Sequence, residues 1–196
     1  MRLLMMIMAL SAANPAWAGP VDIVGGGSCA ADQRWKTNVE MTAIFNADQA
    51  DRSSLAVDWS IVRPRDEARA ARTKALLDEG LLASGDDYYH AAFVFQHGAQ
   101  PNDYLLAHAL AMVAVARGRR DATWIAAATL DRYLQRIGQQ QVFGTQYIGG
   151  KGGMTQGPYD RALLSDAIRT ATGVPTMAAQ EDRRRALEKA TANVKK

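Results

Sequence analysis

Three consecutive helical segments with short connections occupy the middle of the chain, and they constrain the fold most. The segments 84–98, 101–118 and 121–138 each open with a helix-start residue and end at a glycine. Ser84 with Asp87 three residues later resembles a capping box that uses Asp in place of Glu. Connections this short place successive helices side by side in antiparallel pairs. The sequence therefore predicts a helical bundle built from α-hairpins.

The second of these segments is apolar around much of its circumference. Its large apolar side chains are those of Leu105, Leu106, Leu110, Met112, Val113 and Val115. A helix that is apolar nearly all round is buried on most sides. We therefore expect Leu105–Val115 to form the centre of the core.

A glycine-rich segment interrupts the helical pattern, with six glycines in residues 144–157. The segments 141–143 and 147–148 have strand-forming residues, and 149–153 resembles a hairpin tip. We expect a small, irregular β-hairpin within 141–157. With 196 residues the chain fits one domain. The predicted fold class is mainly α: a single-domain bundle of six or seven helices with antiparallel α-hairpins and one small Gly-rich β-hairpin.

Residues 1–18 have the features of a secretory signal peptide. A positively charged start precedes the mostly apolar residues 3–13, and residues 16–18 give the small-x-small pattern that signal peptidase requires. Eleven residues are too few for a bilayer core, which takes about 20. We therefore expect an exported protein, periplasmic or secreted. Residues 19–30, with four glycines and Cys29, are interpreted as a flexible leader.

The rest of the chain divides into a helical domain, 31–187, and a basic C-terminal tail, 188–196. A formal net charge of +3 is too small to indicate nucleic acid, and no later apolar window suggests a membrane after signal cleavage. One cysteine excludes a disulfide within the chain and a multi-cysteine zinc site. The three histidines, His90, His97 and His108, follow no metal-binding motif. We predict no metal and no cofactor, and the oligomeric state is left open.

Two polar groups lie at the ends of predicted helices. Gln96 and His97 precede a glycine at a helix C-terminus, where the helix dipole favours imidazolium. His97 therefore either caps the last carbonyls or serves as an acid, base or ligand. Asp48 and Arg52 are four residues apart at the end of the first predicted helix, and we expect them to form a surface pair.

Two further polar groups interrupt apolar surroundings. Asp131 lies on the apolar stripe of the predicted helix 122–134, and Arg132 follows it. A buried carboxylate is costly unless it is paired, so Asp131 needs a partner from elsewhere in the fold, in a structural ion pair or in a site. The turn 144–147 combines glycine with the hydrogen-bonding side chains of Thr145, Gln146 and Tyr147. Such a turn either binds a ligand or ties the hairpin to the helices.

The order of these motifs resembles a bacterial family of helical proteins known only as a domain of unknown function. The motifs are Gln96-His97-Gly98, Asp131-Arg132, Gly144-Thr145-Gln146-Tyr147, Pro158-Tyr159-Asp160 and Gly173-Val174-Pro175. The similarity covers about residues 40–187 and leaves out the signal peptide. It implies that these polar clusters occur together, and it supplies no established activity.

Polar residues on otherwise apolar helices favour a binding function. The leading hypothesis is an exported protein that binds a small molecule or peptide in a pocket of His97, Asp131, Arg132 and Gln146, with Gln96, Thr145 and Tyr147 as further ligand-binding candidates.

Whether the protein is an enzyme is left open. The first alternative is a hydrolase in which His97 is the general base, Asp131 orients it and a water attacks, since no G-x-S-x-G nucleophile motif is present. The second alternative is an α-hairpin protein-interaction module with an exposed apolar patch and no pocket.

Overall fold

The computed structural model describes residues 35–53, 57–150 and 153–194. Within these residues the chain forms seven helices and one two-stranded antiparallel sheet: α1 (Val39–Asp51), α2 (Trp59–Asp78), α3 (Gly85–Phe95), α4 (Pro101–Ala116), α5 (Ala122–Arg136), β1 (Ile148–Gly150), β2 (Gly153–Thr155), α6 (Asp166–Ala171) and α7 (Met177–Val194). The predicted fold class, mainly α with one small hairpin, is confirmed. The predicted signal peptide, the leader and Cys29 lie outside the described residues.

Local signals place the three central helices where the sequence predicted them. The Ser84 hydroxyl accepts the Asp87 amide at 3.1 Å, and the Asp87 carboxylate accepts the Ser84 amide at 2.9 Å. This is the reciprocal capping box that starts α3. Pro101 is the first residue of α4. Gly118 and Gly138, with φ of 89° and 76°, follow α4 and α5 and allow the left-handed turn that ends each helix.

The core forms where α4 packs against α3 and α5. The inner face of α4 is buried through Tyr104, Ala107, Leu110, Ala111 and Ala114. The outer face is not: Leu105 is 41% and Met112 is 52% exposed. The prediction that Leu105–Val115 forms the centre of the core is therefore wrong for this face, because the described neighbours of α4 cover one side only.

The glycine-rich segment forms a shorter hairpin than predicted. β1 pairs with β2 in the register Ile148 to Thr155, so the strands do not reach residues 141–143. The backbone amides of Val142 and Phe143 instead donate to the Asp131 carboxylate, at 2.8 Å and 3.0 Å. Because these two amides are bonded to Asp131, they do not pair with a neighbouring strand, although residues 141–143 are of strand-forming types.

The last helix extends further than the predicted domain boundary. α7 continues past residue 187 into the basic segment and ends at Val194. None of the described helices has the length and apolar character needed to cross a membrane.

Candidate functional site

α5 divides the predicted site residues into two groups. Asp131 and Arg132 are consecutive, so their side chains point about 100° apart around the helix. Asp131 bonds to residues of the loop 142–145, and Arg132 bonds to Gln96 at the end of α3. The first group therefore holds Asp131, Thr145, Gln146 and Tyr147, and the second holds Gln96, His97 and Arg132.

Asp131 anchors the loop that follows α5. Its side chain is fully buried. One oxygen accepts the amides of Val142 and Phe143, and the other accepts the Thr145 amide at 2.9 Å and the Thr145 hydroxyl at 2.8 Å. The carboxylate beside His97 belongs to Asp48 instead. The partner that the sequence required for Asp131 is therefore a set of four hydrogen-bond donors in the loop, not an ion pair within the described residues.

Four buried glutamines, Gln141, Gln146, Gln156 and Gln180, continue this anchoring, and we call them the glutamine network. The side-chain oxygen of Gln141 accepts the Gln146 amide at 2.9 Å, and its side-chain nitrogen donates to the Gln146 carbonyl at 3.1 Å. The side chain of Gln156 donates to the Gly144 carbonyl at 2.5 Å and to the Gln180 side-chain oxygen at 2.9 Å. The network ties the turn at 144–147 to α7.

The turn 144–147 also borders a small cavity of about 30 Å³, which has room for about one water molecule. Thr145, Tyr147, Trp124 and Arg183 contribute to its wall, and the Arg183 guanidinium lies 5.9 Å from the centre of the Tyr147 ring. Gln146 points elsewhere: its side chain donates to the Ala128 carbonyl at 3.3 Å and to the Thr145 hydroxyl at 2.9 Å. The turn therefore ties the hairpin to the helices, and its binding of a ligand stays a prediction.

The second group belongs to a buried polar cluster between α1, α3 and α5. We call it the His97 cluster and define it as Asp48, Arg52, Gln96, His97 and Arg132. Arg52 donates to the Asp48 carboxylate at 2.9 Å, and the other Asp48 oxygen lies 3.4 Å from His97 Nε2. Arg132 donates to the Gln96 carbonyl at 3.0 Å. The Asp48–Arg52 pair was expected on the surface, but its residues are only 1% and 8% exposed.

The sequence contained a signal for the burial of Asp48. Asp48 follows Met41 by seven residues and Ile44 by four, so all three lie on one face of α1. Met41 is fully buried and Ile44 packs against the core. Asp48 therefore lies on a buried stripe of α1, as Asp131 does on α5.

His97 is a buried and neutral imidazole. Its side chain is 5% exposed, and neither ring nitrogen makes a hydrogen bond to the part of the chain that the structure describes. Burial lowers the pKa of His97 because it removes water from the charged form. The nearby Asp48 carboxylate raises this pKa without reversing the shift, and the positive charges of Arg52 and Arg132 lower it further.

Arg132 is a cation without an acidic partner among the described residues. Its Nε is buried and has no hydrogen-bond partner among these residues, and the one bond that they give its guanidinium is to the Gln96 carbonyl. Burial lowers the pKa of Arg132 to about 10, and the positive charges of Arg52 and Arg136 lower it as well. The residue is therefore still charged at neutral pH.

The remaining two histidines have packing contacts of their own. His90 stacks on the Phe45 ring with the centroids 4.3 Å apart. The Nδ1 atom of His108 lies 2.9 Å from the Ala126 carbonyl oxygen on α5. In the part of the chain that the structure describes, no group of three histidine, cysteine or acidic side chains could hold a metal ion.

Comparison with known proteins gives no relative: the chain matches no family model, no curated protein and no solved structure. The resemblance to a helical domain of unknown function stays a prediction.

Proposed function

We propose that the protein is exported and that its His97 cluster binds the anionic group of a small molecule or peptide. The observation that carries the proposal is Arg132, a charged guanidinium with a buried Nε and no acidic partner among the described residues. A cation in such a position attracts a carboxylate or phosphate, which would supply the missing hydrogen-bond acceptors.

The charges around the cluster support this choice of ligand. Beside the cluster, the ion pairs between the end of α1 and the first half of α2 combine equal numbers of acids and arginines: Asp48, Asp51 and Asp66 with Arg52, Arg65 and Arg69. These six charges balance one another. Arg132 therefore leaves the cluster with an excess positive charge, and the neutral His97 beside it adds none.

The energetics support a functional role for Arg132. An uncompensated buried charge destabilises a protein by several kcal/mol, and an apolar side chain of similar size removes that penalty. Residues that are retained in spite of such a penalty are often functional.

Thermal shift and calorimetric titration with inorganic phosphate, acetate and succinate test the proposal. An anion at about 100 times its Kd stabilises the native state by about 2.7 kcal/mol, which raises Tm by a few degrees. Arg132→Met should abolish the shift. Arg63→Met, which removes an exposed arginine of α2, is the matched control and should leave it unchanged. Equal shifts in the two variants, or no shift with any of the anions in the unchanged protein, would contradict the proposal.

A second candidate function, hydrolysis by an activated water, is favoured by the His97–Asp48 pair. A neutral imidazole can accept a proton, and the Asp48 oxygen 3.4 Å from Nε2 can stabilise the imidazolium that results. Asp48 would then have the orienting role that the sequence suggested for Asp131. Turnover on a panel of esters, amides and phosphoesters that is lost in His97→Ala would support it, and a panel without turnover would count against it.

A further inference from the structure

Four buried polar atoms of the His97 cluster have no hydrogen-bond partner in the described part of the chain. They are Nε of Arg52, Nε of Arg132 and both ring nitrogens of His97. Both arginine atoms are donors, whereas a neutral imidazole has one N–H donor and one nitrogen that only accepts. An anion only accepts, so the accepting nitrogen of His97 is the one atom of the four that does not suit it.

A proton on His97 removes this mismatch. The Asp48 carboxylate already lies on one side of the ring, with an oxygen 3.4 Å from Nε2. A neutral ring beside both Asp48 and a bound anion would have a single N–H for two anionic neighbours. Imidazolium has two N–H donors and can give one to each. Histidine is also the residue type in the cluster whose charge changes between pH 5 and 8.

The charges that face His97 explain why it is neutral before an anion binds. Burial and the positive charges of Arg52 and Arg132 lower its pKa, and the negative charge of Asp48 raises it. The Arg52 charge is paired with Asp48 and with Asp66 of α2. Arg132 has no acidic partner in the ranges that the structure describes, so it is the charge that an incoming anion would neutralise. Protonation of His97 then meets less repulsion.

The other charged or titratable side chains that border the cluster have partners within the protein. Each is bonded to a side chain or to the backbone: Asp66 and Arg69 of α2, Asp103 and Tyr104 of α4, and Arg136 of α5. His90 lies two turns before His97 on α3, but its ring stacks on Phe45, and the charges that act on it are those of Asp86, Asp87 and Arg119. His97 is therefore the group that responds to an anion at Arg132.

We propose that the His97 cluster binds an anion and a proton together, with the anion beside Arg132 and the proton on the His97 ring. This inference rests on the proposed function, because it requires an anion at Arg132. The proton comes from the solvent and no covalent bond of the anion changes. By linkage each of the two strengthens the binding of the other. The affinity for the anion should therefore rise as pH falls from about 8 to about 6, by at most about tenfold per pH unit for one proton.

Calorimetric titration of the chain with sulfate and with acetate at about pH 6, 7 and 8 tests the proposal. Both probes stay ionised over most of this range, so they contribute little to the proton balance. Each titration is repeated in two buffers of different ionisation enthalpy, and the difference in the measured heat gives the number of protons taken up. We expect uptake of up to one proton per anion at pH 6 that declines toward zero at pH 8, with a Kd that increases in parallel.

Two variants assign the proton to its residue. His97→Gln cannot take it up, so its Kd should not change with pH and its proton uptake should be close to zero. His90→Gln is the matched control, since it makes the same change at the neighbouring histidine of α3, and it should retain the uptake. Ring resonances of the unchanged protein follow the same proton by NMR without a substitution: His97 should titrate at a higher pH with sulfate present than without it.

The outcomes separate this inference from the proposed function. If neither anion binds at any of the three pH values, the proposed function fails and the inference fails with it. Binding without proton uptake, uptake that persists in His97→Gln, or a His97 resonance that titrates at the same pH with and without sulfate would overturn the inference alone.

Discussion

Asp131 and Thr145 are joined twice, since one carboxylate oxygen of Asp131 accepts both the backbone amide of Thr145 at 2.9 Å and its hydroxyl at 2.8 Å. The second oxygen accepts two more amides, those of Val142 and Phe143. Four donors thus converge on one buried charge. In a sheet these loop amides would donate to the carbonyls of a neighbouring strand. Here the carboxylate accepts them instead, and it fixes the loop to α5.

Replacing Asp131 with Asn should destabilise the protein by about 3 kcal/mol or more, because the amide nitrogen of Asn would face donors instead of accepting from them. Urea denaturation gives the free energy of unfolding. Asp182→Asn, at an exposed position of α7, is the matched control and should change it by less than about 0.5 kcal/mol. Equal stabilities of the two variants would show that the loop does not depend on Asp131.

Gly144→Ala should be more damaging than Gly138→Ala. Both glycines have positive φ, 77° and 76°, so both substitutions strain the backbone by about 1 kcal/mol. A side chain at Gly144 would also overlap the Tyr159 ring and the Gln180 amide, whereas no atom lies within 4 Å of one at Gly138. We expect an additional loss of about 1–3 kcal/mol at Gly144, measured by urea denaturation. Similar losses at both positions would contradict the close packing of the turn.

Arg132→Met and Arg169→Met should change the free energy of unfolding by different amounts, or in opposite directions, although both remove an arginine with buried atoms. Arg169 is 1% exposed and donates to the Tyr159 hydroxyl at 3.0 Å and to the Leu164 carbonyl, so its loss should cost about 2–4 kcal/mol. Arg132 has an unpartnered Nε, and its replacement should change stability by less than about 1 kcal/mol or increase it. A large loss at Arg132 would instead make it a structural cap of α3.

The stability of the protein should fall in mild acid, in part through His97. Its pKa in the folded protein lies below the ordinary 6.5, so above pH 6.5 both the folded and the unfolded chain hold it neutral. Below pH 6.5 the unfolded chain binds a proton that buried His97 does not. The free energy of unfolding therefore decreases as pH falls from 6.5 toward the folded pKa, by at most about 1.4 kcal/mol per pH unit for one group.

Denaturation curves between pH 7.5 and 5 measure this contribution as the difference between the unchanged protein and His97→Gln. The variant should show the smaller decrease. His90→Gln should act in the same direction, because burial lowers the pKa of His90 too. An unchanged slope in His97→Gln would mean that the imidazole is accessible to protons in the native state.

Signals that act within one helix could be read from the sequence. The capping box of Ser84 and Asp87 and the proline that opens α4 each depend on residues a few positions away. The outer face of α4 was misjudged for a different reason: hydrophobicity shows that a helix can be buried, but the number of helices that pack on it is a property of the whole fold.

The candidate site was only partly accessible to sequence reasoning. His97 and Arg132 were named, but Asp48 joins them from α1, and only the fold brings the three together. Glutamine is usually exposed, so nothing marked Gln141, Gln156 and Gln180 as buried. Their hydrogen bonds join residues 15 and 24 positions apart, which no local pattern records.

The glutamine network gives the loop after α5 one anchor that responds to urea but not to acid. Amide side chains neither bind nor release protons in the range where proteins fold, so acid and salt leave their hydrogen bonds intact. Urea, which solvates amide and peptide groups, competes with those bonds directly. Acid should therefore act on the loop through the Asp131 carboxylate and leave the glutamine network intact, whereas urea should weaken the network directly.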